Sequence, residues 1–298
     1  MTITIKKWVY LFTLSIIWGS SYILIKKGLV GLTPLQLGST RIIMTTAILM
    51  IFGLKQLRKI PKEAWKWIIF TGFFGTFFPS YLFAFAETVI DSSVAAVLNG
   101  MTPLFTLILG LLFFNSSFKW MKIVGVLVGF GGTLVLVSNE FTMRSGLSSW
   151  YAFLVMAATL CYSINVNLIK HKLQGVPALA IALGNFIAIV IPAFGVLLFT
   201  DFPWTKITSS PVVISSIGYI LILSLFGTAL AKVMFNELVS ISTAVFSISI
   251  TYLLPIVAIA WGILDGEQFT VIQWVGCALI LLGVYLITDK KLPKDEGS

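Results

Sequence analysis

Charge is the first thing this chain lacks. Asp, Glu, Lys and Arg make up 10% of its 298 residues, against roughly 25% in a soluble domain. With 58% hydrophobic residues and a mean hydropathy of +1.02, the composition excludes a water-soluble globule and specifies an all-α polytopic membrane protein. Cysteine and histidine are nearly absent: Cys161 and Cys277 sit in apolar runs, and the one histidine, His171, stands between Lys170 and Lys172. No disulfide framework or zinc cluster can be built from these, and neither a metal nor a cofactor is expected. The chain also lacks HExxH, GxSxG and Walker A sequences, paired carboxylates within a span, and a pore-loop or acidic-ring signature. A membrane enzyme acting on lipid-like substrates, an ATP-driven pump and a channel are each left without their machinery. The net charge of +9 is accompanied by no nucleic-acid-binding motif and fits Lys and Arg retained on cytoplasmic loops.

What is present is apolar sequence in bilayer-sized lengths. A crossing takes about 20 apolar residues, and ten runs supply it: 8–27, 34–54, 64–86, 91–114, 119–138, 148–170, 177–199, 211–236, 241–264 and 269–288. The start, Lys6-Lys7 and an apolar run to Gly19-Ser20-Ser21, imitates a signal peptide, but the run continues to Ile25 and reads as a span. The longest joins, Asn139 to Ser148 and Thr200 to Ser210, leave no soluble domain, so any activity must lie within or between helices.

Basic residues set the orientation. With the N-terminus inside, Lys6, Lys7, Lys55, Arg58, Lys59, Lys62, Lys66, Lys119, Lys122, Lys170, Lys172, Lys290, Lys291 and Lys294 are cytoplasmic, fourteen in all, against four outside: Lys26, Lys27, Arg144 and Lys206. That bias predicts both termini in the cytoplasm, with a tail at 289–298 in an inner or plasma membrane protein.

The chain also repeats itself. The stretch from Glu87 to Pro103 recurs, worn, from Glu237 to Pro255; adding 152 carries Pro103 to Pro255, Gly110 to Gly262 and Gly131 to Gly283, adding 150 carries Glu87 to Glu237, and adding 144 carries Ile25-Lys26 to Ile169-Lys170. Five helices per copy is an odd number, so the halves 8–138 and 148–288 must enter the membrane with opposite orientation. Inverted repeats of this kind are a common device of alternating-access carriers, with substrate near the midplane.

Trp18-Gly19-Ser20-Ser21, Arg41, the run from Ser92 through Leu98 ahead of Pro103, and Leu254-Pro255-Ile-Val-Ala-Ile followed by Gly266-Glu267 together resemble the EamA family of the drug/metabolite transporter superfamily. The resemblance covers nearly the whole chain as two repeats. It implies ten helices with both termini inside and export of small metabolites such as amino acids and their analogues; lipophilic drugs or nucleotide-sugar-like solutes are the alternative cargo. The first half departs by placing Asn115 where the second half has its Gly-Glu.

Ionisable and strongly polar residues inside spans are costly and need a reason. Lys232 shares a four-residue spacing with Thr228 and Asn236 and is a candidate for a substrate carboxylate, or else snorkels to the interface. Arg41 is expected to pair structurally between helices. Glu87 and Glu237, at the ends of the third and eighth runs, are candidates for proton coupling. Pro103 and Pro255 free the carbonyls of Asn99 and Thr251, next to Tyr252; these two segments are expected to meet near the midplane as helix-breaking hinges lining a cavity. Trp18, Tyr22, Tyr81, Tyr162 and Asn165 are expected to wall a path for a small-molecule substrate. Gly125, Gly129, Gly131 and Gly132, with Gly276 and Gly283, suit close helix packing, within the chain or in a homodimer.

Overall fold

The computed structural model describes residues 2–90, 92–116, 119–137, 147–264 and 271–287, and every regular element among them is helical. In order these are α1 (Ile3–Gly28), α2 (Pro34–Gly53), α3 (Trp65–Gly72), α4 (Phe78–Ala86), α5 (Ser92–Asn99), α6 (Thr102–Phe113), α7 (Trp120–Val137), α8 (Leu147–Lys172), α9 (Ala178–Leu198), α10 (Pro211–Ile222), α11 (Ala231–Ile241), α12 (Ala244–Ile248), α13 (Ile250–Leu264) and α14 (Val271–Ile287). Gly266, Glu267 and the tail 289–298 lie outside the described residues.

Among the described residues, six stretches are long and apolar enough to cross a bilayer: Ile3–Gly28, Pro34–Lys59, Lys62–Ala86, Trp150–Lys172, Ala178–Leu198 and Pro211–Ile241. Four shorter apolar helices, Thr102–Phe113, Trp120–Val135, Ala244–Val257 and Trp274–Ile287, lie where the remaining apolar runs do. The starts follow local chemistry. Thr2 caps α1 by accepting from the Ile5 amide, and α2 opens with a capping box between Thr33 and Gln36 followed by Pro34, which together occupy amide groups that a helix start leaves open.

Large apolar side chains point outward, as at Ile51, Phe113, Trp150, Ile191 and Phe199, where lipid replaces water as their solvent. Hydroxyls and amides point inward. Most close onto a carbonyl of their own helix, such as Ser15 on Leu11 at 2.7 Å and Thr46 on Ile42 at 2.8 Å. Others tie neighbours together: Ser163 and Asn167 of α8 donate to the Thr102 and Thr106 carbonyls of α6, each at 3.0 Å. A polar group left open in hydrocarbon costs several kcal/mol, so these links fix which helices adjoin.

Two departures from regular helix place the interior groups. The segments Phe73–Phe77 and Leu223–Leu230 are π-helical, continuing α3 into α4 and α10 into α11. The fourth and ninth apolar runs are each divided, at Gly100–Met101 between α5 and α6 and at Ser249 between α12 and α13. Neither division falls at the expected proline: Pro103 lies in the first turn of α6, where a missing amide is harmless, and Pro255 lies inside α13.

The glycines flagged for packing are used within the chain. A Cβ on Gly283 of α14 would fall 2.5 Å from the Gly129 nitrogen and 2.6 Å from its Cα, and one on Gly132 would fall 2.7 Å from the Ile280 nitrogen. Helices α7 and α14 therefore touch backbone to backbone. Gly131 faces open space and takes no part.

Candidate functional site

The helices surround a cavity of about 80 Å³. At about 30 Å³ per water, it has room for roughly two or three of them. From α1 it receives Trp18, Ser21, Tyr22 and Ile25; from α2, Arg41; from the first π segment and α4, Gly75, Thr76, Ser80 and Phe83; from α5, Asn99. The later helices contribute Tyr162 and Asn165 of α8, Gly227 of the second π segment, Lys232 and Phe235 of α11, Ile248 of α12, and Thr251 and Leu254 of α13.

The π segments explain why backbone reaches this cavity. A five-residue turn widens the helix and displaces carbonyls from their usual i+4 amide, and each segment presents a glycine carbonyl to a side chain from elsewhere. Lys232 Nζ donates to the Gly75 carbonyl, and Trp18 Nε1 donates to the Gly227 carbonyl at 2.9 Å. The glycines are needed for space. A Cβ at Gly75 would run into the Asn165 amide, and one at Gly227 would sit 2.7 Å from Ser21 Oγ.

Arg41 is held by the second π segment. Its Nε donates to Thr228 Oγ1 at 2.8 Å, that hydroxyl donates onward to the Leu223 carbonyl at 3.0 Å, and Ser224 Oγ donates to the Arg41 carbonyl at 3.3 Å. The terminal guanidinium nitrogens make no hydrogen bond among the described residues. Tyr22 accepts from Asn99 Nδ2 at 3.1 Å, and Thr102 Oγ1 donates to both the Asn99 carbonyl, at 2.5 Å, and its side-chain oxygen, at 3.0 Å. The carbonyl expected to be open above Pro103 is thus already occupied. On the far wall, Phe83 stacks on Tyr162 with centroids 6.0 Å apart, and Trp18 leans on Phe235 at 5.3 Å. Asn165 Oδ1 and Thr76 Oγ1 are buried with no hydrogen-bond partner among the described residues.

The structure therefore brings Trp18, Tyr22, Arg41, Asn99, Tyr162, Asn165, Lys232 and Thr251 to one cavity. It places the others elsewhere. Tyr81 packs against Gly38 and Phe77 and shares a 2.8 Å hydrogen bond with Ser39. Tyr252 is fully buried over Gly129 and donates to the Val126 carbonyl at 2.8 Å, joining α13 to α7. Pro103 and Pro255 are not among the lining residues. Glu237 forms a part-exposed ion pair with Lys6 at 2.8 Å, whereas Glu87 is buried at the end of α4, within electrostatic range of Tyr22, Arg41 and Tyr162.

The four-residue stripe also breaks up. Thr228 lies in the π segment and holds Arg41, Lys232 reaches the cavity, and Asn236 donates to the Ala178 carbonyl at the start of α9, at 3.2 Å. The wide turn at Leu223–Leu230 sets Thr228 apart from the other two, whereas Lys232 and Asn236 lie one turn apart in the regular helix α11 and meet different neighbours. Ser21, Gly75, Thr76, Ser80 and Gly227 were missed, because small residues in apolar helices carry no distinguishing signal. One was available: Gly75 and Gly227 are 152 apart, the same offset as Pro103 and Pro255.

A cavity that carries charged and amide groups among apolar walls, between lipid-facing helices, fits the class of integral membrane solute transporters, and the comparisons with known proteins place the chain more narrowly within it. The model of the EamA-like transporter family matches residues 6–138 and again 149–289; the chain belongs to that family and is a multi-pass membrane transporter. It is 27% identical over 295 residues to an uncharacterized transporter of Archaeoglobus fulgidus, covering 96% of this chain and 100% of that one. It is 27% identical over 285 residues to the uncharacterized inner membrane transporter YedA of Escherichia coli, covering 93% and 89%. A protein described as a probable amino-acid metabolite efflux pump of Escherichia coli is 22% identical over 277 residues, with 91% of each chain covered. A solved crystal structure superposes with a TM-score of 0.72 at 18% identity, covering 94% of this chain and 95% of the other, which speaks to the fold. Ten lining residues of the cavity fall in the first family match and eight in the second.

Proposed function

We propose that this protein is a secondary transporter that exports small metabolites, such as amino acids or their analogues, by alternating access of two inverted five-helix halves, 8–138 and 148–288. The observation that carries the proposal is the cavity's position between the two family matches. The hydrogen bonds of Trp18 to Gly227, Arg41 to Thr228 and Lys232 to Gly75 each run from one match to the other. A site shared in this way changes its walls whenever the halves move relative to one another.

The ten-crossing topology with both termini cytoplasmic is part of the same proposal. It is supported by the ends of the bundle: Lys6 pairs with Glu237, and Lys170 donates to the Val239 and Ser240 carbonyls, gathering basic residues from distant parts of the chain at one end. At the other end of α1, Gln36 donates to the Asp201 carbonyl at 3.0 Å. Export is supported by the name of the efflux-pump relative. If protons are coupled, the buried Glu87 is the better placed of the two carboxylates, since Glu237 sits in a surface ion pair.

Flux into vesicles containing the purified protein, with and without an imposed pH gradient, tests the proposal. Saturable counterflow of at least one member of an amino-acid and metabolite panel is expected, and no flux for any of them would overturn it. Flux that ignores the gradient would remove proton coupling alone.

A further inference from the structure

We propose that the cavity selects a small monocarboxylate bearing an amino or hydroxy group at carbon 2, its carboxylate shared by Arg41 and Lys232 and its donor accepted by Asn165. The inference rests on the transport reading above and names the substrate class of the same site.

Charge argues first. Two cations line the cavity, and none of its described lining residues is acidic. Arg41 and Lys232 are near enough to repel one another, and Glu87, outside the lining, lies within electrostatic range of Arg41. Two basic side chains with no carboxylate among the described lining residues leave the cavity electropositive, in a region with little water to screen that charge. One carboxylate offsets it. A lipophilic cation would add to it, so the lining works against cationic drugs despite its aromatic walls.

Donor geometry argues next. Arg41 is anchored through Nε to Thr228, which holds the guanidinium plane while leaving its terminal nitrogens without a hydrogen bond among the described residues. That is the half of the group that grips a carboxylate with two parallel bonds. Lys232 uses one of its three N–H groups on the Gly75 carbonyl, and two remain. Each cation is thus fixed by the protein and still incompletely satisfied.

An orphan acceptor completes the site. Asn165 is 2% exposed, lines the cavity, and its Oδ1 has no hydrogen-bond partner among the described residues, although a buried polar atom is rarely left without one. It abuts Gly75, whose carbonyl holds Lys232, so the orphan lies beside the cation. A donor one carbon from a carboxylate fits that juxtaposition. Because an ammonium would find no carboxylate in the lining, a hydroxyl serves at least as well, and 2-hydroxy acids should bind no more weakly than the matching amino acids.

The test is binding to the purified full-length protein in lipid nanodiscs, using four probes: 2-hydroxy-3-methylbutanoate, L-valine, L-valinamide and isobutylamine. The two carboxylates should bind, and the amide and amine should bind at least tenfold more weakly. Arg41→Gln should weaken the carboxylates at least tenfold, with Arg41→Lys recovering part of the loss. Asn165→Asp, nearly the same shape, should weaken them by placing a like charge beside them, and it carries the test should Arg41→Gln fail to fold. Amide or amine binding as tightly as the acids, no binding by either carboxylate, or tighter carboxylate binding by Asn165→Asp would overturn the proposal. In vesicles, flux of the amine or amide with the acids inert would overturn the substrate class while leaving transport standing; no flux for any solute would overturn transport itself.

Discussion

Replacing Lys232 by Met separates what this side chain does for the fold from what it does for a solute. The residue is 9% exposed and its ammonium donates to the Gly75 carbonyl. Methionine keeps most of the volume but leaves that carbonyl unmet, at about 1–3 kcal/mol. Against this, removing a buried ammonium recovers a desolvation penalty of several kcal/mol. The two nearly offset, so expression and melting temperature should change little. Function should not be spared. A hydrogen bond to a charged group contributes about 1.5–3 kcal/mol, equivalent to roughly a 10- to 150-fold loss of solute affinity. The assay is initial uptake into vesicles over a range of solute concentrations, alongside a melting curve in the same detergent. Unchanged uptake would show that Lys232 merely pins the first π segment, and a collapse in melting temperature would refute the offset.

Four further outcomes follow from particular contacts. Gly283→Ala forces a Cβ to 2.5 Å from backbone that cannot yield, and should cost about 1–3 kcal/mol, read as a lower melting temperature. Trp18→Phe removes the 2.9 Å donor to Gly227 while keeping a ring against Phe235; it should cost about 0.5–1.5 kcal/mol and alter uptake kinetics. Tyr252→Phe loses the 2.8 Å bond to Val126 and should cost a similar amount, but its solute selectivity should match wild type because the ring is outside the cavity lining. With Cys161 and Cys277 replaced by Ala, Lys59→Cys and Lys291→Cys should be labelled by impermeant reagents from the cytoplasmic side only; labelling from outside would reverse the proposed topology.

The parts of this molecule that were legible in its sequence are those where the membrane imposes a single rule. Apolar runs had to be helices, and Arg41 and Lys232 stood out because a charge in such a run is expensive. Trp18 and Tyr22 stood out as aromatics on one face of the first helix, and the repeat offset of 144 led from them to Tyr162 and, beside Val166, Asn165. The rest depended on backbone geometry that composition does not encode. Nothing in Phe73-Phe-Gly-Thr-Phe77 distinguishes a five-residue turn from an ordinary one, yet that turn puts the Gly75 carbonyl in the cavity. The prolines drew attention to the divided helices, but the divisions fall at Gly100–Met101 and Ser249, where side chains such as Thr102 offer the carbonyls an alternative bond. Tyr81 and Tyr252 illustrate the opposite error: an aromatic hydroxyl in a span finds a partner across a helix contact as readily as in a cavity.

The glycine contact between α7 and α14 has a consequence for how the protein can move. Each helix belongs to a different family match, and where they cross, main chain lies directly on main chain. Side chains such as Leu279, Leu286 and Ile287 pack beside the glycines, but where backbone lies on backbone the crossing can neither slide far nor separate without losing that close contact. In the alternating access proposed above, this crossing is the axle, and rotation about a fixed axle that narrows access to the cavity on one side widens it on the other. On that proposal the crossing supplies a mechanical reason not to open at both ends at once, which is the condition separating a carrier from a leak.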